Sequence, residues 1–138
     1  MLEGSCACGR VTYEVHGALL GPVDHCHCRR CRKQSAASFA TTAGMCRSDF
    51  VLRSGEALLH AWESSPGVRR FFASCCGAPI HEARATTPDV LRLRLGTLDT
   101  DPGIRIERHF TTGSRAPWVT FEDPLPRSDG GPPFGTRD

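Results

Sequence analysis

Cysteine is the residue type that dominates the chemistry open to this chain. Eight cysteines occur among 138 residues, and seven of them fall into three close groups. The groups are Cys6-Ala7-Cys8, Cys26-His27-Cys28-Arg29-Arg30-Cys31 and the adjacent pair Cys75-Cys76, while Cys46 stands alone. Thiolates at such short spacings favour zinc over magnesium or calcium, which take oxygen ligands. Four thiolates also hold iron or iron–sulfur clusters, so these residues leave iron open.

The two outer groups together predict one closed metal site. Residues i and i+2 of an extended segment project to the same side, so the sulfurs of Cys6 and Cys8 can reach one ion. Adjacent residues of a strand point to opposite faces, which favours only one of Cys75 and Cys76 as a ligand. A closed structural zinc site has four protein ligands and would need both. The sequence therefore predicts Cys6 and Cys8 joined to one or both of these cysteines.

The middle group predicts an open site. It offers three sulfurs on one loop, from Cys26, Cys28 and Cys31, and no obvious fourth ligand. Catalytic zinc sites have three protein ligands and leave a position to water or substrate. Disulfide bonds are the alternative, but C-x-C pairs form strained bridges and no secretory signal is visible. For the lone Cys46 we expect an ordinary buried thiol.

Four basic residues flank the middle group: Arg29, Arg30, Arg32 and Lys33. They would offset the negative charge of the thiolates, and the guanidinium forks of Arg29 and Arg30 are suited to binding carboxylates. The alternative is that they are solvated surface charges. His27 lies between two predicted ligands and is expected to point away from the metal. We interpret His25 and His27 as bystanders.

The elements that must position these groups are mostly strands. Three segments alternate polar and apolar residues with period two: residues 10–15, 90–95 and 104–110. Weaker strand candidates are residues 38–42, 50–52, 58–62 and 68–72. Only residues 29–37 are predicted to form a short helical turn. We therefore predict a mainly β, antiparallel chain with cysteines near strand ends and with Trp62 and Trp118 in its core.

Length and composition predict a single domain, because 138 residues bury one modest core. No run of eighteen apolar residues and no leader peptide is visible, so we expect a reducing, cytoplasmic compartment and no membrane insertion. A net charge of +2 gives weak support to nucleic-acid binding. Proline and glycine dominate the end of the chain. We therefore predict a folded domain over residues 1–125 and a flexible tail over residues 126–138.

Five stretches together resemble the glutathione-dependent formaldehyde-activating enzyme family, which includes the centromere protein V domain. They read GSCACGRVTYEV, CHCRRCRKQSAA, FFASCCGAPI, LGTLD and RAPWVTFED, and the resemblance spans residues 3–125. It implies an antiparallel β-tent-like fold with two zinc sites. One is a structural zinc, with ligands Cys6, Cys8 and Cys76. The other is a zinc next to the substrate, with ligands Cys26, Cys28 and Cys31.

The third stretch departs from the family pattern. The family usually has F-C-x-x-C-G, whereas this chain has Phe72-Ala73-Ser74-Cys75-Cys76-Gly77. Ala73 therefore stands where the fourth structural ligand is expected, and a cysteine stands at position 75 instead. Three outcomes are open: Cys75 replaces the missing ligand, the site keeps three ligands and a water, or the structural zinc is lost. The chain would then hold one or two zinc ions.

The resemblance also implies an activity: the addition of glutathione to formaldehyde to give S-hydroxymethylglutathione, and the reverse reaction. The leading hypothesis is a zinc-dependent carbon–sulfur lyase with Cys26, Cys28 and Cys31 at its catalytic centre. Its partners would be glutathione, or a similar small thiol, and a small electrophile, with Arg29 and Arg30 contacting the carboxylates of glutathione. The alternatives are a non-catalytic, zinc-containing β scaffold for a protein or nucleic acid, and a metal or thiol sensor.

Overall fold

Two β-sheets around a shared apolar core make up most of the structure, a computed structural model that describes residues 1–129. The strands in chain order are β1 (Leu2–Ser5), β2 (Thr12–Val15), β3 (Leu20–Cys26), β4 (Ala40–Cys46), β5 (Phe50–Ser54), β6 (Leu59–Ser65), β7 (Val68–Ala73), β8 (Pro79–Arg84), β9 (Val90–Arg94), β10 (Arg108–Phe110) and β11 (Arg127–Ser128). Helix α1 (Arg29–Ser35) connects β3 to β4, and short 3₁₀ turns occur at Arg47–Asp49, Glu56–Leu58, Leu95–Thr97 and Thr112–Ser114.

The smaller sheet has the order β1-β2-β5, and the larger has the order β11-β10-β3-β4-β9-β8-β7-β6. Neighbouring strands are antiparallel, except that β10 runs parallel to both β3 and β11. The predicted mainly β fold class with cysteine clusters is confirmed. Within residues 1–129, no helix is long and apolar enough to cross a membrane.

The larger sheet has one apolar face and one charged face. On β9, Leu91 and Leu93 are buried in the core that both sheets share. The intervening Arg92 lies opposite Glu82 of β8, which in turn lies opposite Arg70 of β7. Side chains alternate along a strand, so these charged residues project away from the core. Helix α1 lies against this second face, which is how a charged surface comes to be buried.

Most predicted elements form close to their predicted positions. The strand over residues 90–95 corresponds to β9, residues 10–15 contain β2, and the predicted helical turn is α1. The alternating segment over residues 104–110 was predicted wrongly as a single strand, because only Arg108–Phe110 pairs. Its exposure still alternates over residues 104–107, where the Glu107 amide donates to the Val23 carbonyl at 2.9 Å but no strand forms. The pattern therefore reports one-sided burial and not strand pairing. Strands β3 and β8 have no clear alternation because they bury polar residues.

Two further expectations need correction or extension. The prediction that Trp62 and Trp118 lie in the core is wrong, since they are 49% and 70% exposed. The Trp118 indole instead donates a hydrogen bond to Ser38 Oγ at 2.9 Å. Strand β11 lies inside the segment predicted as a flexible tail, so paired structure continues past residue 125. Residues 130–138 lie outside the described residues, and for them the tail stays a prediction.

The buried Asp24 ties three strands together on the charged face of the larger sheet. Its carboxylate accepts hydrogen bonds from Arg92 of β9, at 2.7 Å, and from Arg108 of β10. Asp24 itself is fully buried on β3. We expect Asp24→Asn to lower the free energy of unfolding by about 2–3 kcal/mol, because it removes the charge that balances two partly buried guanidinium groups. Urea unfolding measures this, and a change below 0.5 kcal/mol would contradict the role.

The buried His81 of β8 is expected to make the core sensitive to acid. Its ring stacks on Phe71, with centroids 4.4 Å apart, and meets Phe50 edge-on at 5.0 Å. Burial, followed by the charges of Arg47 and Arg94, lowers the pKa of His81 from 6.5 to about 3. As the pH falls, His81 therefore becomes protonated in the unfolded chain at a higher pH than in the folded protein. The stability due to neutral His81 is complete above pH 6.5 and is lost as the pH falls towards 3.

The variant His81→Phe should remove part of that pH dependence. Between pH 8 and pH 5 the wild type is expected to lose roughly 2 kcal/mol more than the variant, measured by urea unfolding at each pH. Effects of acid on the cysteines are common to both proteins and cancel in the difference. Parallel pH profiles for the two proteins would show that His81 contributes nothing.

Candidate functional site

Four cysteine sulfurs meet where the ends of β1 and β7 approach each other. The Sγ atoms of Cys6, Cys8, Cys75 and Cys76 all lie within 4.8 Å of one another. The Cys8–Cys75 distance is 3.3 Å, Cys6–Cys8 is 3.7 Å and Cys6–Cys75 is 3.9 Å. Sulfurs around a tetrahedral zinc ion with bonds of about 2.3 Å lie about 3.8 Å apart. This four-sulfur group therefore has the donors and the spacing of a closed zinc site.

Two turns bring the sulfurs of the four-sulfur group together. Gly9 and Gly77 each follow a cysteine and each have a φ of 81°, a left-handed conformation that glycine adopts without strain. The Gly77 amide donates to the carbonyl of Ala73 at 2.7 Å, which closes the second turn. Ala73 itself is fully buried in the apolar core. This second turn brings the sulfurs of both Cys75 and Cys76 to those of Cys6 and Cys8. The fourth sulfur of the group is therefore the one at position 75.

Three further sulfurs meet where β3 ends and α1 begins. The Sγ atoms of Cys26, Cys28 and Cys31 lie within 4.8 Å of one another. Within the described part of the chain, no fourth histidine, cysteine, aspartate or glutamate belongs to this three-sulfur group. Cys28 is the N-cap of α1, and its sulfur accepts a hydrogen bond from the Cys31 amide at 3.2 Å. Cys26 and Cys31 are buried, so Cys28 is the member that solvent reaches most easily.

Two buried arginines contact the three-sulfur group from the sheet. Arg70 Nη1 lies 3.4 Å from Cys31 Sγ, and Arg94 Nη2 lies 4.0 Å from it. Both guanidinium groups also donate to the Gln34 side chain of α1, at 3.5 and 3.2 Å. Hydrogen bonds with the other two thiols, and then the charges of Arg94 and Arg70, lower the pKa of Cys31. The sequence analysis missed both arginines and assigned the basic role to the flank of α1.

That basic flank lies mostly at the surface of the protein. Arg29 and Arg30 are exposed, and Cys31 is the residue of α1 that is buried. Arg32 and Lys33 line a surface groove of about 510 Å³ together with Trp118. The contact of Arg29 and Arg30 with glutathione carboxylates therefore stays a prediction.

The two histidines of the middle group lie in a separate polar cluster. His27 Nε2 is 3.0 Å from His109 Nδ1, and His109 Nε2 is 2.8 Å from an Asp123 carboxylate oxygen. The Asp123 carboxylate accepts a hydrogen bond from His109 Nε2. Burial, and then the charge of His109, lowers the pKa of His27 to about 4. His25 stacks on Phe39 with centroids 3.9 Å apart. Neither histidine belongs to either sulfur group.

Comparisons with known proteins indicate the family of this chain. The model of the family described as "Glutathione-dependent formaldehyde-activating enzyme" matches residues 1–114. The chain belongs to this family. A curated family relative from Halomonas elongata, named "Putative glutathione-dependent formaldehyde-activating enzyme", is 28% identical over 130 residues. That alignment covers 88% of this chain and 82% of the relative.

A solved structure supports the fold. The crystal structure of a Rhodobacter sphaeroides protein, a structural genomics target, superposes on this chain with a TM-score of 0.60 and 25% sequence identity. The match covers 75% of this chain and 90% of that protein. The likeness concerns the arrangement of the strands.

The donor sets of this family member fit zinc. Both groups consist entirely of sulfur, which suits zinc and excludes a magnesium or calcium site. The four-sulfur group has the ligand count of a structural site, and the three-sulfur group has the count of a site with one open position. Residues that the spacing of the sequence had grouped together are thus brought together in space.

Proposed function

We propose that the chain is a zinc-dependent carbon–sulfur lyase that forms and cleaves an adduct between glutathione, or a similar small thiol, and a small electrophile such as formaldehyde. The observation that carries the proposal is the three-sulfur group, which offers three ligands to a metal that takes four. Membership of the glutathione-dependent formaldehyde-activating family supports the choice of substrates. The four-sulfur group would hold a second, structural zinc.

The reaction conserves electrons. In the forward direction the thiol sulfur forms a bond to the formaldehyde carbon, and the π pair of the carbonyl moves to its oxygen. The proton lost by the thiol ends on that oxygen, which gives the hydroxymethyl group. The reverse direction breaks the carbon–sulfur bond and returns the proton. No external oxidant or reductant is needed.

The chain's own residues would hold and shape the reaction centre. Cys26, Cys28 and Cys31 would bind the zinc ion, and Arg70 and Arg94 would hold the Cys31 sulfur in place through their contacts with it. When bound, zinc supplies a Lewis acid that keeps a thiol ionised at neutral pH. Because Cys28 is partly exposed, the substrates would reach the three-sulfur group from the side of Cys28. Because thiolates must stay reduced, we further propose a cytoplasmic location.

Exchange spectroscopy tests the proposal. Zinc-loaded full-length protein is mixed with ¹³C-formaldehyde and glutathione, and the interconversion of free formaldehyde and S-hydroxymethylglutathione is measured by NMR. We expect the protein to accelerate the exchange over the spontaneous rate and chelator-treated protein to lose the effect. A parallel series with 2-mercaptoethanol, which has no carboxylates, reports whether glutathione itself is preferred. An exchange rate equal to the spontaneous one at full zinc loading would refute the activity.

A further inference from the structure

The charged face of the larger sheet presents a buried cationic pair to the three-sulfur group. Arg70 and Arg94 come from β7 and β9, on either side of β8, and are only 4% and 5% exposed. Their guanidinium groups converge on the same sulfur, Cys31 Sγ, at 3.4 and 4.0 Å. Gln34 accepts a hydrogen bond from each of them. Two arginines so deeply buried at one thiol need anionic partners, because an unpaired buried charge is costly.

The protein supplies less negative charge than this pair requires. Glu82 of β8 lies 3.8 Å from Arg70 and 3.6 Å from Arg94. The same carboxylate also pairs with Arg84 at 3.3 Å. One carboxylate is thus shared among three guanidinium groups, and the sulfurs provide the remaining negative charge.

One donor of the cationic pair is still free. Arg94 Nη1 is buried and has no hydrogen-bond partner among residues 1–129. Buried guanidinium nitrogens are normally satisfied, so the free one shows that the cationic pair is one acceptor short. It belongs to the same guanidinium group that contacts Cys31 and Gln34.

We propose that Arg70 and Arg94 determine which ligands the open position of the three-sulfur group accepts, by favouring anionic ligands over neutral ones. This rests on the proposed function, in which the group holds a divalent ion. Three thiolates around a divalent ion carry one net negative charge, which repels a further anion such as a thiolate. Two fixed positive charges at Cys31 remove that repulsion for a thiolate and give a neutral ligand no such gain. The pair thereby selects an ionised thiol as the substrate.

Cobalt-substituted full-length protein tests the proposal, since ligand binding at an open position changes the cobalt absorption spectrum. Azide serves as the small anionic probe, imidazole as the neutral probe and glutathione as the thiol. With all four sulfurs bound, the four-sulfur group would have no open position, so spectral changes on adding ligand would report on the three-sulfur group. Dissociation constants are measured for Arg94→Gln, Arg70→Gln, Arg94→Lys and Glu82→Gln, with Arg84→Gln as the matched control. Arg84 also pairs with Glu82, but its side chain is 36% exposed, whereas those of Arg70 and Arg94 are buried.

We expect Arg94→Gln and Arg70→Gln each to weaken azide and glutathione binding by about tenfold or more, with imidazole binding changed less than about twofold. Arg94→Lys should keep most of the preference for anions, and Arg84→Gln should resemble the wild type. Glu82→Gln should have the opposite effect and strengthen azide binding, because it removes the negative charge beside the pair. If Arg70 and Arg94 had only a structural role, Glu82→Gln would not strengthen azide binding.

The outcomes separate this inference from the proposed function. If the wild-type cobalt protein shows no spectral response to any ligand, the open position and the proposed function both fail. If the wild type responds but the glutamine variants bind azide equally well, only the selection by Arg70 and Arg94 is overturned. Equal weakening for azide and imidazole would likewise overturn it. Should a glutamine variant fail to load cobalt, Glu82→Gln still decides, since unchanged or weaker azide binding there contradicts the proposal.

Discussion

Replacing Cys28 by serine is expected to remove the metal ion from the three-sulfur group and to lower the rate of thiol-adduct exchange by at least about a hundredfold. The reason is that a serine hydroxyl is a poor zinc ligand at neutral pH, so two sulfurs would remain to hold the ion. Zinc content measured by mass spectrometry should fall from two ions per chain to one. The exchange rate from the NMR experiment should fall towards the spontaneous rate.

Serine is chosen because it should leave the fold of the protein intact. Cys28 is the N-cap of α1 and accepts the Cys31 amide through its sulfur. Serine is among the preferred N-cap residues and can accept the same bond, so the helix should form normally. Cys46→Ser is the control, because Cys46 belongs to neither sulfur group. Full zinc content together with wild-type exchange in Cys28→Ser would rule out the three-sulfur group as the reaction centre.

Within each short segment the sequence predicted which sulfurs lie together, because that spacing is local. A C-x-C pair in an extended segment places both sulfurs on one side whatever the rest of the chain does, and Cys26 and Cys28 follow this rule. His27 between them accordingly lies outside the sulfur group. Its partner His109 could not be predicted, since the two rings meet through the parallel pairing of β3 with β10, which joins residues 82 positions apart.

The burial of Arg70 and Arg94 at the three-sulfur group could not be predicted from the sequence. The period-two pattern of residues 90–95 correctly separates the leucines from the arginines of β9. The pattern carries no information about what covers the polar face. Here α1 lies against that face, so arginines that would elsewhere be solvated are buried at a thiol. Buried charge on a sheet is a property of the packing of layers, and strand periodicity reports only which residues share a face.

The second large effect is expected at the four-sulfur group. We expect Cys75→Ala to lose one zinc ion per chain and to lower the midpoint of thermal unfolding by about 10 °C or more. The physical reason is that a metal held between the ends of β1 and β7 links segments about 70 positions apart, so its binding free energy contributes to folding. Calorimetry and zinc content measure the two effects. Exchange by the three-sulfur group should persist at temperatures where the variant is folded.

Two further variants decide whether position 75 supplies the fourth ligand. Cys76→Ala should lose the same ion and be destabilised to a similar degree, whereas Cys46→Ala should leave the zinc content unchanged. Ala73 packs in the same buried cluster as Cys6, so a cysteine placed there starts close to the site. In the Cys75→Ala background, Ala73→Cys is therefore expected to restore the second zinc ion and most of the lost stability. If Cys75→Ala alone retains two zinc ions, the sulfur at position 75 is a neighbour of the site and not a ligand, and the closed site has only three protein sulfurs.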